Sequence, residues 1–291
     1  MNIKNSLKRL LPDEIVLSRT FKGIMGYKLD LKNPQTYNEK LQWLKINDHN
    51  PLYTTMVDKY AAKVYVANLI GSEYIIPTLG VWNSFDEIDF SKLPNKFVLK
   101  TTHDSGSVVI CRNKETFDIE SARSVLEQSL KTNFYWRGGR EWPYKHVPPR
   151  IIAEEYIDEN GHTPEDYKIL CFNGRPDNIM VCADRESGTT KFYFFDTDWK
   201  LRRLNGWGLK APEGFTLPKP DNLDEMLGIA EKLSEGIPLL RVDLYDVNGH
   251  IYFGETTFYP DSGFDANITP ECDAEFGKKL DLSKVKIRKR N

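Results

Sequence analysis

The spacing of apolar positions changes character twice along the chain. From Thr36 it is helical: Thr36 and Glu39 form a capping box, and Leu41, Trp43 and Leu44 follow as an apolar stripe. A second helical stretch, DKYAAKVYVANL, covers residues 58–69. Near Tyr74 the texture shifts to short β-branched and aromatic runs. Tyr74 to Pro77, Phe97 to Lys100 and Val108 to Ile110 read as strands. Asp118 then caps a helix over SARSVLEQSL. Residues Asn133 to Pro149 are aromatic, Gly-containing and irregular, and read as a mobile connecting loop. From Arg150 strands return in RIIAEEYI, DYKILCFNG, NIMVCAD and KFYFFDTDW. A helix from about Asn222 to Ser234 stops ahead of Gly236 and leads into RVDLYDVNGHIYFGETTFYPDSGF over 241–264.

Strands, then a helix, then strands, without regular βαβ alternation, predict an α+β fold with two lobes rather than a doubly wound parallel sheet. Residues 1–72 form a mainly helical N-terminal region, 73–149 a small lobe and 150–291 a large lobe. No internal repeat or low-complexity segment interrupts this division.

The run 241–257 carries the most chemistry. Two short strands joined across Asn248-Gly249 hold Arg241, Asp243, Glu255 and Thr257. A two-residue type I′ turn sets Val242 opposite Glu255, which puts the two carboxylates on opposite faces. A three-residue loop, Val247-Asn248-Gly249, pairs Arg241 with Glu255 instead and brings all four residues to one face. The second arrangement is expected. Two carboxylates at one level suit a hard divalent cation such as Mg²⁺, which bridges carboxylates to substrate phosphates. The competing reading is a surface hairpin with solvated alternating charges.

Composition narrows the function classes. The chain has 291 residues, a formal net charge of −2 and a pI near 6.3, so no global field points to nucleic acid. Its basic ends, Met1 to Leu11 (with Lys4, Lys8 and Arg9) and Lys284 to Arg290, are solvated or make weak contact with an anionic membrane surface. No apolar run reaches the roughly 18 residues of a spanning helix, and no signal-peptide core is present. The four cysteines lack CxxC spacing and read as buried thiols of a cytoplasmic protein.

Lys100 ends an apolar strand and is followed by TTHDSGSVVI. A lysine there, with Ser105, Gly106 and Ser107 freeing backbone N–H groups, makes a phosphate grip, although a Ser-Gly-Ser turn is also a commonplace hairpin. His103 either contacts a phosphate or caps the turn. Glu154 and Glu155 interrupt an apolar run that reads as an edge strand. The Glu155 carbonyl and the Ile157 amide are spaced to pair with an adenine edge. A separate Asp196-Thr197-Asp198 triplet after KFYFF fits the DxD of a glycosyltransferase holding a metal and a sugar nucleotide.

The ordered set DKYAAK, PNKFVLKTTHDSGSVVI, PRIIAEEYI, DYKILCFNG and RVDLY…FGETTFYPDSGF resembles the ATP-grasp superfamily. More closely, it is similar to the teichuronopeptide-biosynthesis (TupA-like) ATP-grasp family of bacterial surface-polysaccharide loci. The likeness runs from Thr36 to Phe264. It implies two α+β lobes around a nucleotide cleft, with ATP and Mg²⁺ as ligands. Lys59 and Lys100 would hold ATP phosphates, and His103 to Ser107 would form the loop that closes over them. Glu154, Glu155, Tyr156 and Ile157 would form the interdomain hinge that binds adenine. Lys168 would point to the γ-phosphate, Arg241 would stabilise the reacting acyl group, and Asp243, Glu255 and Thr257 would be metal ligands. Thr257 stands where the superfamily commonly has asparagine. The Gly-rich loop is short, and the helical N-terminal region replaces the usual βαβ domain.

The chemistry so implied is an ATP-dependent carboxylate–amine ligation through an acyl phosphate. The implied acid is a small or lipid-linked saccharide carboxylate such as a uronic acid, or an amino acid. An amine or amino acid would be the nucleophile, and the product would decorate a capsule or wall polysaccharide. The location would be cytoplasmic, including the inner face of the membrane. The DxD glycosyltransferase and a non-catalytic nucleotide-binding scaffold are the alternatives.

Overall fold

The computed structural model describes residues 9–137, 139–158, 161–184 and 188–287; residues 1–8 and 288–291, which hold most of both basic ends, lie outside it. Helix α1 (Asp13–Met25) closes on Gly26, whose φ of 80° ends the helix in the left-handed region. Helix α2 (Tyr37–Asn47) begins with the capping box: the Thr36 side chain accepts from the Glu39 amide, and the Glu39 carboxylate accepts from the Thr36 amide at 3.2 Å.

The expected helix over 58–69 starts three residues late. Helix α3 (Pro51–Val57) ends, and α4 (Ala61–Ile70) begins, on either side of Asp58–Tyr60. Two long-range contacts hold the break open. Arg150 donates to Asp58 Oδ2 at 2.5 Å, and the Lys59 amide donates to the Thr102 carbonyl at 3.0 Å. The break delivers Lys59 to the small-lobe loop instead of burying it on a helix face.

The small lobe is a four-stranded antiparallel sheet of β1 (Thr78–Trp82), β2 (Phe97–Thr101), β3 (Val108–Cys111) and β4 (Ile151–Glu155), in the order β1-β4-β2-β3. Helix α5 (Ile119–Leu130), capped by Asp118, covers one face with Ala122 and Leu126 against Phe97, Leu99 and Ala153. Three expectations change here. Tyr74–Pro77 is not a strand; Ser72–Tyr74 forms a 3₁₀ turn, and Ile75 makes only a bridge to Phe253. The run 151–155 is not an edge strand, because β1 and β2 pair with it on both sides. Nor does the large lobe begin at 150, since β4 returns to the small sheet.

The connector Asn133–Pro149 is packed rather than loose. It holds two 3₁₀ turns, Phe134–Arg137 and Trp142–His146, and buries Tyr135, Arg140 and Glu141. The Tyr135 hydroxyl donates to Asp13 at 2.6 Å, and Trp142 stacks on His49 at 4.7 Å.

A six-stranded antiparallel sheet forms the large lobe: β5 (Glu165–Phe172), β6 (Arg175–Ala183), β7 (Lys191–Phe195), β8 (Leu201–Arg202), β9 (Leu239–Val247) and β10 (His250–Thr257), in the order β10-β9-β5-β6-β7-β8. After β8 come the short α6 (Gly206–Lys210), then α7 (Leu223–Ser234), and after β10 comes α8 (Pro270–Lys279). Helix α7 covers the outer face of the sheet, where Cys171 donates to the Ala230 carbonyl. Ile169, Cys171 and Val242 belong to this core, so their neighbours Lys168, Leu170, Arg241 and Asp243 point to the inner face.

The turn between β9 and β10 is the two-residue form, not the three-residue loop. Asn248 (φ 54°) and Gly249 (φ 80°) both lie in the left-handed region, as a type I′ turn requires, and Val247 pairs with His250. That register alone would set Glu255 opposite Val242. A β-bulge at Gly254 inserts one residue between the Phe253–Leu244 and Glu255–Asp243 pairs. The slip turns Glu255 and Thr257 to the face of Asp243 and Arg241, so the expected outcome is reached by a different route. A side chain at 254 would lie 3.0 Å from the Asp243 carbonyl oxygen, so glycine suits the bulge.

Gly254→Val should disfavour the bulge, because its side chain would press on the Asp243 carbonyl oxygen; in the unbroken register Glu255 then faces Val242 and turns to the opposite face, while β10, an edge strand, still pairs. The variant is expected to keep its far-UV circular dichroism and lose the rise in melting temperature given by Mg-ATP. An unchanged ligand-induced shift would contradict the role assigned to the bulge.

Candidate functional site

Two neighbouring rows of side chains cross the inner face of the large sheet. One row runs Met180, Lys168, Asp243, Glu255 over β6, β5, β9 and β10; the next runs Asn178, Leu170, Arg241, Thr257. Asp243 is the hub. Arg241 grips it in two-pronged fashion, Nε to Oδ1 at 2.7 Å and Nη2 to Oδ2 at 2.8 Å, and Lys168 donates to Oδ2. Lys168 also pairs with Asp166 at 2.8 Å. Burial alone would push the Asp243 carboxyl up, but Arg241 and then Lys168 outweigh it and hold it below the usual carboxylate range. Burial would pull Lys168 down, and the charges of Asp243 and Asp166 lift it above its ordinary value. Both groups are therefore ionised at neutral pH.

Glu255 differs from Asp243 in exposure. Its side chain is 43% exposed against 2% for Asp243, with Arg241 Nη2 at 3.7 Å. Thr257 Oγ1 accepts from Arg241 Nη2 at 3.1 Å. The hydroxyl thus orients the guanidinium at the position where an asparagine is common. Asp243 and Glu255 present hard carboxylate oxygens side by side on paired strands, a donor set chemically suited to Mg²⁺. Among the described residues no cluster of three or more metal-ligating side chains forms.

The small lobe supplies a second charged group. Lys100 on β2 and Lys63 on α4 share one carboxylate: Nζ of Lys63 lies 2.7 Å from Glu154 Oε1 and Nζ of Lys100 lies 2.5 Å from Oε2. Burial opposes ionisation of Glu154, yet Lys100 and Lys63 hold its carboxyl down at about 2. Lys63 also donates to the Ile76 carbonyl at 2.5 Å. Lys59 donates to the Asp104 carbonyl, and burial lowers its ammonium group below the usual range. Lys63 lies on α4, four residues after Lys59 in DKYAAK, and that second lysine of the motif is the sequence signal that identifies it.

The loop 103–107 is anchored from within. The Asp104 carboxylate accepts from Thr101, Ser107 and Ser129 at 2.7, 2.6 and 2.5 Å. His103 is buried, with Nε2 at 3.2 and 3.0 Å from the Ser129 and Thr132 carbonyls at the end of α5, and serves as a fastener there. Only Ser105 and Gly106 are exposed at the tip. At the hinge, the Glu155 amide is taken by the Pro77 carbonyl at 3.0 Å. Tyr156 sits between Lys96 and Arg112, whose cationic groups lie 5.6 and 5.8 Å from its ring. Asp196 lies far from this chemistry in role. Its Oδ1 accepts from the Asp198 and Lys200 amides at 3.0 and 2.9 Å, so the DxD triplet makes the β7–β8 turn.

Beside the Arg241 row a cavity of about 680 Å³ opens between β5–β7, α6 and the segment after β10. Asp261 and Asp265 line it; Asp261 falls within the FGETTFYPDSGF motif, whereas no motif marks Asp265.

A family model, described as TupA-like ATPgrasp, matches residues 39–281. The chain belongs to the TupA-like ATP-grasp family. Its two antiparallel sheets facing a lysine–carboxylate cluster are the ATP-grasp fold, and membership makes it an ATP-grasp ligase, which sets aside the glycosyltransferase alternative. No curated protein matches. Among solved structures, the chain is similar to a D-alanine–D-alanine ligase from Bacillus anthracis complexed with ATP, at 16% identity and TM-score 0.48, covering 85% of this chain and 70% of that one. It is also similar to D-alanine–D-alanine ligase from Helicobacter pylori (12%, TM-score 0.46, 84% and 67%) and to the D-cycloserine synthetase DcsG (16%, TM-score 0.41, 81% and 72%). Among the described residues no helix is long and apolar enough to cross a membrane.

Glu154 gives a measurable signature. Its carboxyl titrates near 2 in the fold against 4.5 for a free glutamate. The triad therefore stabilises the fold fully above about pH 4.5 and loses that contribution as pH falls towards 2. Glu154→Gln should remove this acid-side loss. At neutral pH it should cost about 3–5 kcal/mol, because Lys63 is left buried without its partner. Urea midpoints at several pH values check it; a variant as stable as the parent at pH 7 would count against the triad.

Proposed function

We propose that this ATP-grasp ligase joins the carboxylate of a saccharide, a uronic acid or a close relative, to an amine or amino acid through an acyl phosphate. The acceptor would be free or lipid-linked, and the product part of a bacterial capsule or cell-surface polysaccharide. The observation that carries the reading is the pair of side-chain rows on the inner face of the large sheet. They set two carboxylates, Lys168 and Arg241 at one end of the cleft, across from Lys100, Lys63 and Lys59.

The work of each residue follows from its surroundings. Lys100, with a side chain still partly exposed, and Lys59, beside the 103–107 loop, supply positive charge for phosphate oxygens. The hinge 154–157 borders the adenine end, where main-chain groups beyond Glu155 leave the sheet. Mg²⁺, when bound by Asp243 and Glu255, would neutralise charge on the β- and γ-phosphates. Lys168 adds a fixed cation next to that position.

The acid's carboxylate oxygen attacks the γ-phosphorus and ADP leaves. The amine nitrogen then attacks the acyl carbon, and phosphate departs. Arg241 sits one row beyond Asp243, where a guanidinium stabilises negative charge on the acyl oxygen. Lys59, Lys100, Lys168 and Arg241 are assigned to the β,γ end of the cleft, and this assignment implies cleavage to ADP and phosphate.

The test is ADP release from purified protein against panels of uronic acids and amines. Arg241→Ala should lower kcat/KM by about 2.7–4 kcal/mol of barrier, if it acts as one oxyanion donor. Because Arg241 also orients Asp243, some loss of Mg-ATP affinity should accompany it. Near-normal turnover in that variant, or AMP as the nucleotide product, would contradict the mechanism.

A further inference from the structure

The cavity beside the reaction rows combines charged and aromatic walls. Lys168 and Arg241 reach it from the reaction rows, Phe192, Phe194 and Trp207 add an aromatic wall, and Asp261 and Asp265 stand on the segment that leaves β10. Its volume, about 680 Å³, falls within the roughly 300–1,000 Å³ of pockets that enclose a whole small molecule. The segment carrying the aspartates is pinned. Asn38 holds the Asp265 main chain on both sides, accepting from its N–H at 2.8 Å and donating to its carbonyl at 3.2 Å. Lys45 and Gln42 donate to the Ser262 carbonyl, at 2.5 and 3.2 Å. Asp261 and Ser262, with φ of 47° and 52°, keep a left-handed backbone that these bonds enforce.

We propose that this cavity is the amine-donor site and that Asp265 takes the proton from the attacking ammonium group. The assignment rests on the ligase reading above. An ammonium group cannot attack, because its nitrogen has no free electron pair. Asp265 accepts one proton, the freed pair forms the C–N bond, and the C–O bond to phosphate breaks. The second nitrogen proton leaves with the phosphate, and Asp265 later releases its own to solvent. The cavity joins such a base to the acyl position beside Arg241, and its aromatic wall accommodates the body of the amine.

Electrostatics agree with the geometry. Burial, and then Asp261, push the Asp265 carboxyl up to about 6, against the amides of Asn267 and Ile268 that lower it. Tyr37 from α2 and Cys272 from α8 both feel the Asp265 charge, and Arg241, Lys168 and Lys210 line the same cavity. A base titrating there is ionised at neutral pH and more basic than an ordinary aspartate.

Hydroxylamine separates the steps, because it is already neutral near pH 7 and captures an acyl phosphate without a base. The experiment uses the uronic acid that gives most ADP in the panel, with hydroxylamine or a panel amino acid as nucleophile. Asp265→Asn, which keeps the oxygen that accepts from the Asn267 amide at 2.9 Å, should still form hydroxamate. Amide formation should fall about 100-fold or more, and the acid limb near pH 6 expected of the parent should disappear. Gly206→Phe, built where open space adjoins the glycine on the cavity wall, should give the same split by filling the site. Equal amide formation in both variants and the parent would overturn the assignment, and so would equal loss of both products in Asp265→Asn. A parent enzyme that forms no hydroxamate with any acid would remove the ligase reading itself, and this assignment with it.

Discussion

Asp243 cannot be buried alone. A carboxylate that is 2% exposed survives in ionised form only because Arg241 and Lys168 surround it, and those two cations are buried only because Asp243 and Asp166 answer them. The cluster requires three strands, β5, β9 and β10, in one register. It also requires the bulge at Gly254 that turns Glu255 and Thr257 inward. Charges of this kind do not hold the fold together better than apolar residues of similar volume would. They are retained where chemistry needs them, and the apolar packing on the outer face of the same sheet, with α7, carries the stability.

The small lobe repeats the logic with the same signs. There one buried carboxylate, Glu154, balances two lysines, one buried and one reaching into the cleft. Lys63 is tied to Glu154 and to the Ile76 carbonyl, so its charge is structural. Lys100 has the freer end and is the one able to exchange its partner for a phosphate. Closing the lobes on a polyphosphate would therefore trade a protein carboxylate for ligand oxygens. The cost of leaving Glu154 behind is limited by Lys63, which remains with it.

Much of this was legible in the chain, and the failures have physical causes. The capping box of α2, the Asp118 cap of α5 and the strands β2 to β7, β9 and β10 follow from local chemistry that neighbours do not override, whereas β1 and β8 were not read. The family resemblance is borne out by a match over residues 39–281. The break at Asp58–Tyr60 was not legible, because it is held by Arg150 and Thr102, partners far along the chain. The hairpin shows how local rules can mislead. Asn248-Gly249 is the turn its sequence favours, and the face of Glu255 was inferred correctly from a wrong loop, since the bulge at Gly254, five residues past the turn, supplies the missing shift. The strand 151–155 looked like an edge because of its glutamates, yet Glu154 points at two lysines. The connector 133–149 looked loose because its aromatic residues have no periodicity; they pack on one another, as Phe134 on Tyr144 and Tyr135 on Trp136, and on Asp13 and His49. Asp265 was invisible, for an isolated aspartate acquires meaning only when a cavity forms beside it.

The central claim is that the acid is activated by direct attack of its carboxylate on the γ-phosphorus. Running the reaction with an acid labelled by ¹⁸O in its carboxyl group, and reading the released phosphate by ³¹P NMR, tests this most directly. The account predicts one ¹⁸O atom carried into inorganic phosphate, with ADP as the other product. Phosphate free of the label, or label found in AMP, would contradict it.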